Sequence, residues 1–313
     1  MKALVTGVLQ ATVEELNQLE DMGLEITFQQ NERDEVKNPE QFEAVICNGL
    51  FLYNDIEKFT NLKYIQLTSA GTDRVPADYI QSHGMELHNA AGVYSGPMAE
   101  WTIMRLLELY KNADKLFANN SWNKDRTWRE LGGKTACVIG FGSNGKAIAK
   151  RLKAFDVDVC IVNRTKKESQ FVDEFYPIDM LDEALRRADI VILAIALTEE
   201  TRQLMNAKRF SEMKDGAVFI NAARGALVDE AALVDALNNN LAGAALDVFE
   251  VEPLSDDSPL WQVDNLLISP HNSFVGENNH KRLMNVVFNN LTINKVKKIL
   301  LNDQRETVSA GRA

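Results

Sequence analysis

The chain has 313 residues and a net charge of −11 at pH 7, with 45% hydrophobic and 25% charged residues. That composition is ordinary for a globular protein, and the length is more than one core usually fills, so two domains are expected. An acidic chain without a basic stripe excludes nucleic acid as a general partner, and any anionic ligand has to be met by local positive groups. The opening MKALVTG lacks the layout of a signal peptide, and no apolar run approaches membrane-spanning length, so the expectation is a cytoplasmic protein with no membrane partner. Cys47, Cys137 and Cys160 lie in or beside strand-like runs with no C-x-x-C pair and read as reduced core thiols. No His/Cys/Asp cluster has ligand spacing, so no metal is expected.

In chain order, ALVTG, VEELNQLEDM, LEITF, AVIC, LKYIQL, ADYIQSHG and MELHNA alternate short apolar runs with amphipathic stretches, the pattern of βα units on a parallel sheet. After Gly96-Pro97, residues 98–117 are apolar at helical spacing, with Pro97 suited to a first turn. Asn119 to Gly133 reads as a polar connector carrying Trp122 and Trp128. The second half continues with strand candidates in TACVIG, VDVCIVN, ADIVILAIAL, DGAVFINAA, AGAALDVF and NLLISP, and helices in KAIAKRLKAF, DEALRRA, EETRQLM and DEAALVDALNNN. Residues 278–300 predict an amphipathic helix crossing back to the first domain. The fold class is therefore α/β: two Rossmann-like or flavodoxin-like doubly wound parallel-sheet domains with a cleft between them. One comprises residues 1–96 plus 285–313 and the other residues 97–284.

The run around Gly140, Phe141, Gly142, Ser143, Asn144 and Gly145 organises the second domain. It is a strand, a glycine turn and a helix: Gly140 for the tight turn, Gly142 for close approach of a pyrophosphate, Gly145 for helix packing on the strand. The helix start offers free N–H groups to a phosphate. At the end of the next strand, where an acid would hold a ribose 2′-hydroxyl, stand Asn163, Arg164 and Thr165. Asn163 removes the repulsion of a 2′-phosphate, Arg164 offers a guanidinium fork and Thr165 a hydroxyl, so NADP(H) is preferred and NAD(H) remains possible. The competing reading makes Arg164, Lys166 and Lys167 a solvated basic turn.

Three residues stand just past strand ends: Arg224 in INAARGALVD, Glu252 in ALDVFEVEP and His271 in ISPHNS. Histidine suits general acid–base work near neutrality, a carboxylate orients its ring, and arginine grips a carboxylate with two hydrogen bonds. These are the parts needed to reduce a 2-keto acid. In order, VIGFGSNG, NAARGALVDE, ALDVFEVEPL and SPH resemble the D-isomer-specific 2-hydroxyacid dehydrogenases, and AGTDRVP and NAAGVYSGPMAEW resemble that family's motifs in the substrate domain. The likeness to the NADPH-preferring glyoxylate/hydroxypyruvate reductase-like members implies a homodimer that reduces a small 2-keto acid to the (R)-2-hydroxy acid. It implies that Arg224 binds substrate, that His271 is the proton donor and also touches substrate, and that Glu252 holds His271. By the same resemblance Ala223 and Asp247 contact the cofactor, Asp247 near the nicotinamide carboxamide, and backbone N–H groups around Ala70 and Gly71 complete the carboxylate site.

This sequence departs from the family in places. Ala196 stands where a proline is common, Asp156 where a helix-end glycine is frequent, and Asn272-Ser273-Phe274 where small residues are common. Phe51, Tyr53, Tyr94 and Phe274 are candidates for lining the substrate pocket or for ordinary packing; His83, His88 and His280 read as structural. Two competing functions remain: a phosphite-type dehydrogenase, and an NAD(P)-sensing corepressor-like protein that keeps the triad without turnover.

Overall fold

The computed structural model describes residues 1–113 and 126–293. It divides into two units: Met1–Val93 together with the chain from Glu277 onward, and Tyr94–Gly276. The chain thus changes unit a few residues before each expected boundary. The return is early because His280 Nε2 lies 2.9 Å from the Glu15 carboxylate and Arg282 Nε donates to the Val93 carbonyl at 2.7 Å. The helix that begins this return is seen over 279–293. The expected helical continuation past residue 113, the connector as far as residue 125, and residues 294–300 lie outside the described residues.

The first unit holds a five-stranded parallel sheet, β1 (Lys2–Thr6), β2 (Glu25–Gln29), β3 (Ala44–Cys47), β4 (Tyr64–Leu67) and β5 (Glu86–His88), in the order β2-β1-β3-β4-β5. This is the flavodoxin-like order. Its helix α1 (Val13–Asp21) opens with a capping box between Thr12 and Glu15, and a short α2 (Ala77–Ser82) precedes β5. β3 and β4 are buried along their whole length, as expected of strands covered on both faces, whereas β2 sits at the sheet edge and is largely exposed. The unassigned histidines have structural partners here: His83 stacks on Tyr79 and His88 packs beside Tyr64.

The second unit holds seven parallel strands: β6 (Thr135–Ile139), β7 (Asp158–Asn163), β8 (Glu174–Pro177), β9 (Ile190–Leu193), β10 (Val218–Asn221), β11 (Gly243–Leu246) and β12 (Leu266–Ile268), in the order β12-β11-β10-β9-β6-β7-β8. Numbered from β6, the sheet runs 3-2-1-4-5-6-7, the dinucleotide-binding order with one added strand, and its direction of winding reverses between β6 and β9. Alternate residues feed the two faces. Cys137, Ile139, Cys160 and Val162 enter one apolar cluster, and Ala136, Val138, Val159 and Ile161 the other. Each fully buried aliphatic side chain contributes about 1.5–3 kcal/mol. Helices α3 (Ser95–Lys111) and α4 (Ser143–Lys153) lie side by side, tied by Ser95 Oγ donating to Asn144 Oδ1 at 2.6 Å and by an Arg151–Glu100 ion pair at 2.8 Å. The shorter α5 (Leu181–Arg187), α6 (Ala207–Ser211) and α7 (Glu230–Asn239) complete the unit. No helix among the described residues is long and apolar enough to cross a membrane.

Two readings of local structure need correction. EETRQLM is not a helix: Thr198 and Thr201 exchange side-chain and backbone hydrogen bonds, Gln203 is left-handed at φ 47°, and Met205 is drawn into a bridge with Val228. Helix α6 starts only after it, at the Asn206 cap. The strand β8 is an addition to the elements expected from the sequence. It is four residues long, ends in Pro177 and buries only Tyr176, so it carries too little apolar pattern to read. Asp156 does adopt the left-handed conformation expected where glycine is frequent, with φ 56°.

All three cysteines are free and buried. Cys137 and Cys160 face each other across β6 and β7; a hydrogen bond with the Cys160 thiol, together with burial, pushes the Cys137 thiol well above its usual range.

Candidate active site

The glycine turn follows β6 at the point where the sheet changes its direction of winding. Gly140 has φ 98°, and a Cβ there would press on the carbonyl of Ala194 at the end of β9. A Cβ at Gly145 would strike the Gly140 carbonyl, so this glycine lets α4 start directly against the strand. Around Gly142 nothing lies within 4 Å of where a Cβ would be. The turn is closed against protein on one side and open at its middle glycine, at the start of an 11-residue helix; these residues fit a dinucleotide pyrophosphate. Asn144 directs its side chain back to α3, with Nδ2 donating to Met98 Sδ at 3.3 Å, which leaves its backbone, with that of Ser143, at the helix start.

At the end of β7, Asn163 Nδ2 donates to the Thr165 carbonyl at 2.9 Å, closing the turn that carries the exposed Arg164. Arg164 has no hydrogen bond or ion pair among the described residues. Lys167 reaches back toward the glycine turn, its Nζ 3.4 Å from the Phe141 carbonyl. In the sequence Lys167 appears only in the competing reading, as part of a solvated basic turn. Its position four residues beyond Asn163 was the available signal.

Arg224, Glu252 and His271 follow β10, β11 and β12, three neighbours in the sheet. The side chain of Asn221 shapes the first turn, accepting from Ala223 N at 2.9 Å and donating to the Arg224 carbonyl at 2.9 Å. Arg224 is half-buried, and its Nη1 donates to the Ala223 carbonyl at 2.7 Å. Glu252 accepts through Oε1 from Phe249 N at 3.0 Å, while its Oε2 lies 2.7 Å from His271 Nδ1. The carboxylate therefore sets both the ring orientation and the nitrogen that faces it. Nε2 of His271 has no hydrogen-bond partner among the described residues, so it is the ring nitrogen left unengaged.

The backbone under His271 is unusual: φ is 49°, the left-handed region that a non-glycine residue adopts at a cost of about 1 kcal/mol or more. Asp247 stabilises it. This aspartate is fully buried, and its Oδ1 accepts from Ser269 Oγ at 2.6 Å and from Asn272 N at 2.9 Å, its Oδ2 from Ser273 N at 2.8 Å. Successive N–H groups around a carboxylate form an anion nest, and here the anion is supplied by the chain. The resemblance placed Asp247 near the nicotinamide; in the structure its carboxylate is engaged with the loop that carries His271.

Phe274 stands edge-on to His271 with ring centroids 6.0 Å apart, and Tyr94 edge-on to Phe274 at 5.8 Å. Burial pushes the Tyr94 hydroxyl up from its ordinary value. Two of the four proposed lining aromatics thus gather beside the histidine. In the first unit, Phe51 packs edge-on against buried Phe59, and Tyr53 is exposed under the Arg33 guanidinium. The Ala70–Gly71 turn is held by Asn89 Nδ2 donating to the Ala70 carbonyl at 2.8 Å and Ser69 Oγ to that of Gly71 at 2.9 Å.

Residues 101–273 match the family model described as the D-isomer specific 2-hydroxyacid dehydrogenase NAD binding domain. The chain belongs to the D-isomer specific 2-hydroxyacid dehydrogenase family. It is 38% identical over 221 residues to a glyoxylate reductase of Thermofilum pendens, spanning 67% of this chain and 65% of that protein. With a hydroxypyruvate reductase of Thermotoga maritima it shares 32% identity over 258 residues, spanning 79% and 83%. Among solved structures, a glyoxylate reductase from Paecilomyes thermophila superimposes with a TM-score of 0.81 at 25% identity, covering 93% of this chain and 94% of that one. Membership makes this 2-hydroxyacid dehydrogenase a nicotinamide-dependent oxidoreductase of the 2-hydroxy acid/2-keto acid pair.

Proposed function

We propose that the enzyme reduces small 2-keto acids to (R)-2-hydroxy acids, prefers NADPH to NADH, and uses His271 as its general acid. The observation that carries this reading is the 2.7 Å contact of His271 Nδ1 with Glu252, which leaves Nε2 to the substrate. A bound nicotinamide supplies the hydride. Arg224 grips the substrate carboxylate and orients the keto carbon, with backbone N–H groups at Ala70 and Gly71 as further carboxylate donors. His271 Nε2 delivers a proton to the carbonyl oxygen as charge develops there, and Glu252 balances the imidazolium in the reactant state.

On the cofactor side, Gly140, Gly142, Ser143, Asn144 and Gly145 receive the pyrophosphate, and Ala223 lies at the nicotinamide end. Asn163, Arg164 and Thr165 receive a 2′-phosphate, with Lys167 adding a second positive charge. The preference for NADPH rests on the neutral Asn163 and on Arg164, whose guanidinium has no hydrogen bond or ion pair among the described residues. The resemblance further supports a homodimer.

The experiment is the initial rate of NADPH and NADH oxidation against 2-keto acids from glyoxylate to phenylpyruvate. Turnover faster with NADPH is expected, and the size of the best substrate reports the space left by Tyr94 and Phe274. Tight cofactor binding with no turnover of any 2-keto acid overturns the reading and favours phosphite oxidation or a sensor.

A further inference from the structure

The Arg224 and Glu252 turns belong to neighbouring strands, and two contacts join them. Gly225 is buried, and a Cβ on it would overlap the carbonyl of Phe249, so the backbones of the two turns are in direct contact. Five residues on, Glu230 Oε1 accepts a hydrogen bond from Glu250 N at 2.7 Å. Glu230 stands on a firm base. It opens α7 behind the Asp229 cap, whose side chain accepts from Ala232 N at 3.0 Å, and Asp229 N donates to the Met205 carbonyl at 2.9 Å. The turn it holds is closed on its other side by the Glu252 carboxylate accepting from Phe249 N.

From this we infer that Glu230, working with Gly225, is a positioning residue: it fixes the Glu252 turn against the Arg224 turn and so sets the spacing between substrate grip and acid–base pair. The physical reason is the tolerance of the chemistry. A proton donor must lie within hydrogen-bond reach of the oxygen it protonates, and displacement by about 1 Å can cost about 100-fold in rate. Glu252 is half-exposed and lies in an exposed loop, so its placement depends on what anchors that loop. Glu230 touches neither substrate nor cofactor in this arrangement; it acts through Glu252.

The inference rests on the proposed role of Glu252, and the test separates the two. Deuterium uptake across residues 247–254 is measured without substrate in the wild type, Glu230→Ala and Glu230→Gln. Faster uptake is expected in the alanine variant and wild-type uptake in glutamine, whose amide oxygen still accepts from Glu250 N. In turnover, Glu230→Ala is expected to lower kcat about tenfold with the KM for cofactor held, and glutamine to restore most of it. In a Glu252→Gln background, Glu230→Ala is expected to cause little further loss, because both act at one place. Wild-type uptake in the alanine variant, or a loss that multiplies fully with that of Glu252→Gln, overturns the inference. If no 2-keto acid is turned over by the wild type, the functional reading fails while the exchange result still decides whether Glu230 anchors the turn.

Discussion

Two turns at the C-terminal edge of the seven-stranded sheet do opposite things with similar material. After β6, the turn around Gly142 leaves open space at its centre, where a phosphate fits. After β12, the N–H groups of Asn272 and Ser273 also converge on an anion, but that anion is the chain's own Asp247. In the proposed reading the first turn is completed by a ligand. The second is completed during folding and holds His271 in a backbone conformation it would not choose alone. A fold can thus use one device, backbone N–H groups around negative charge, for recognition at one place and for pre-organisation at another.

Four substitutions test that contrast. The largest effect is expected from His271→Gln: kcat falls about 1,000-fold while cofactor affinity stays within about twofold, since proton transfer alone is lost; steady-state rates and cofactor titration read both. Asp247→Ala empties the second turn and is expected to destabilise the protein by about 3 kcal/mol in urea unfolding, because three donors lose a buried acceptor. A loss below about 1 kcal/mol would show that the carboxylate does not hold the loop. Arg164→Ala, in the turn after β7, is expected to weaken NADPH about tenfold, leave NADH unchanged and keep stability at the wild-type level. Equal losses for the two cofactors would remove the 2′-phosphate assignment.

The smallest effect concerns the opposite edge of the same sheet. Thr135 N donates to Asp189 at 2.9 Å and Val159 N to Asp173 at 2.7 Å. Burial pushes both carboxyls up, but these backbone bonds and the ammonium groups of Lys214 and Lys153 outweigh it and hold them below the ordinary range. Their stabilisation is therefore complete above the unfolded carboxylate range and is lost as pH falls through the lower folded-state values. Asp189→Asn should flatten the acid limb of the unfolding midpoint against pH, by about 1 kcal/mol.

What the sequence made legible was local and periodic. The strand, glycine turn and helix at 135–153 span one continuous stretch, and Arg224, Glu252 and His271 each follow an apolar run, so their common edge could be read from the βα repeat. The paired doubly wound order follows from the same alternation. EETRQLM misled because Leu204 and Met205 are buried in a loop whose Gln203 and Met205 N–H groups donate to the Ala226 and Leu227 carbonyls, and that burial mimics the apolar spacing of a helix. The joints at Gly225 and Glu230 were hidden for a different reason: one is a backbone contact with Phe249 and the other a Glu230 carboxylate on a backbone N–H 20 residues away, and nothing in the apolar pattern marks such a meeting. Asp247 sits in a recognisable motif, but its partners lie 22 to 26 residues away, so only the folded chain shows where its oxygens are used.

The burial of Cys47, Cys137 and Cys160 has a practical consequence. With every native thiol enclosed, the folded chain presents no surface thiol to thiol-directed dyes or spin labels. A single cysteine introduced at an exposed position becomes the one addressable thiol on the molecule, so a probe beside Phe274 can report on the surroundings of His271 in an otherwise unmodified protein.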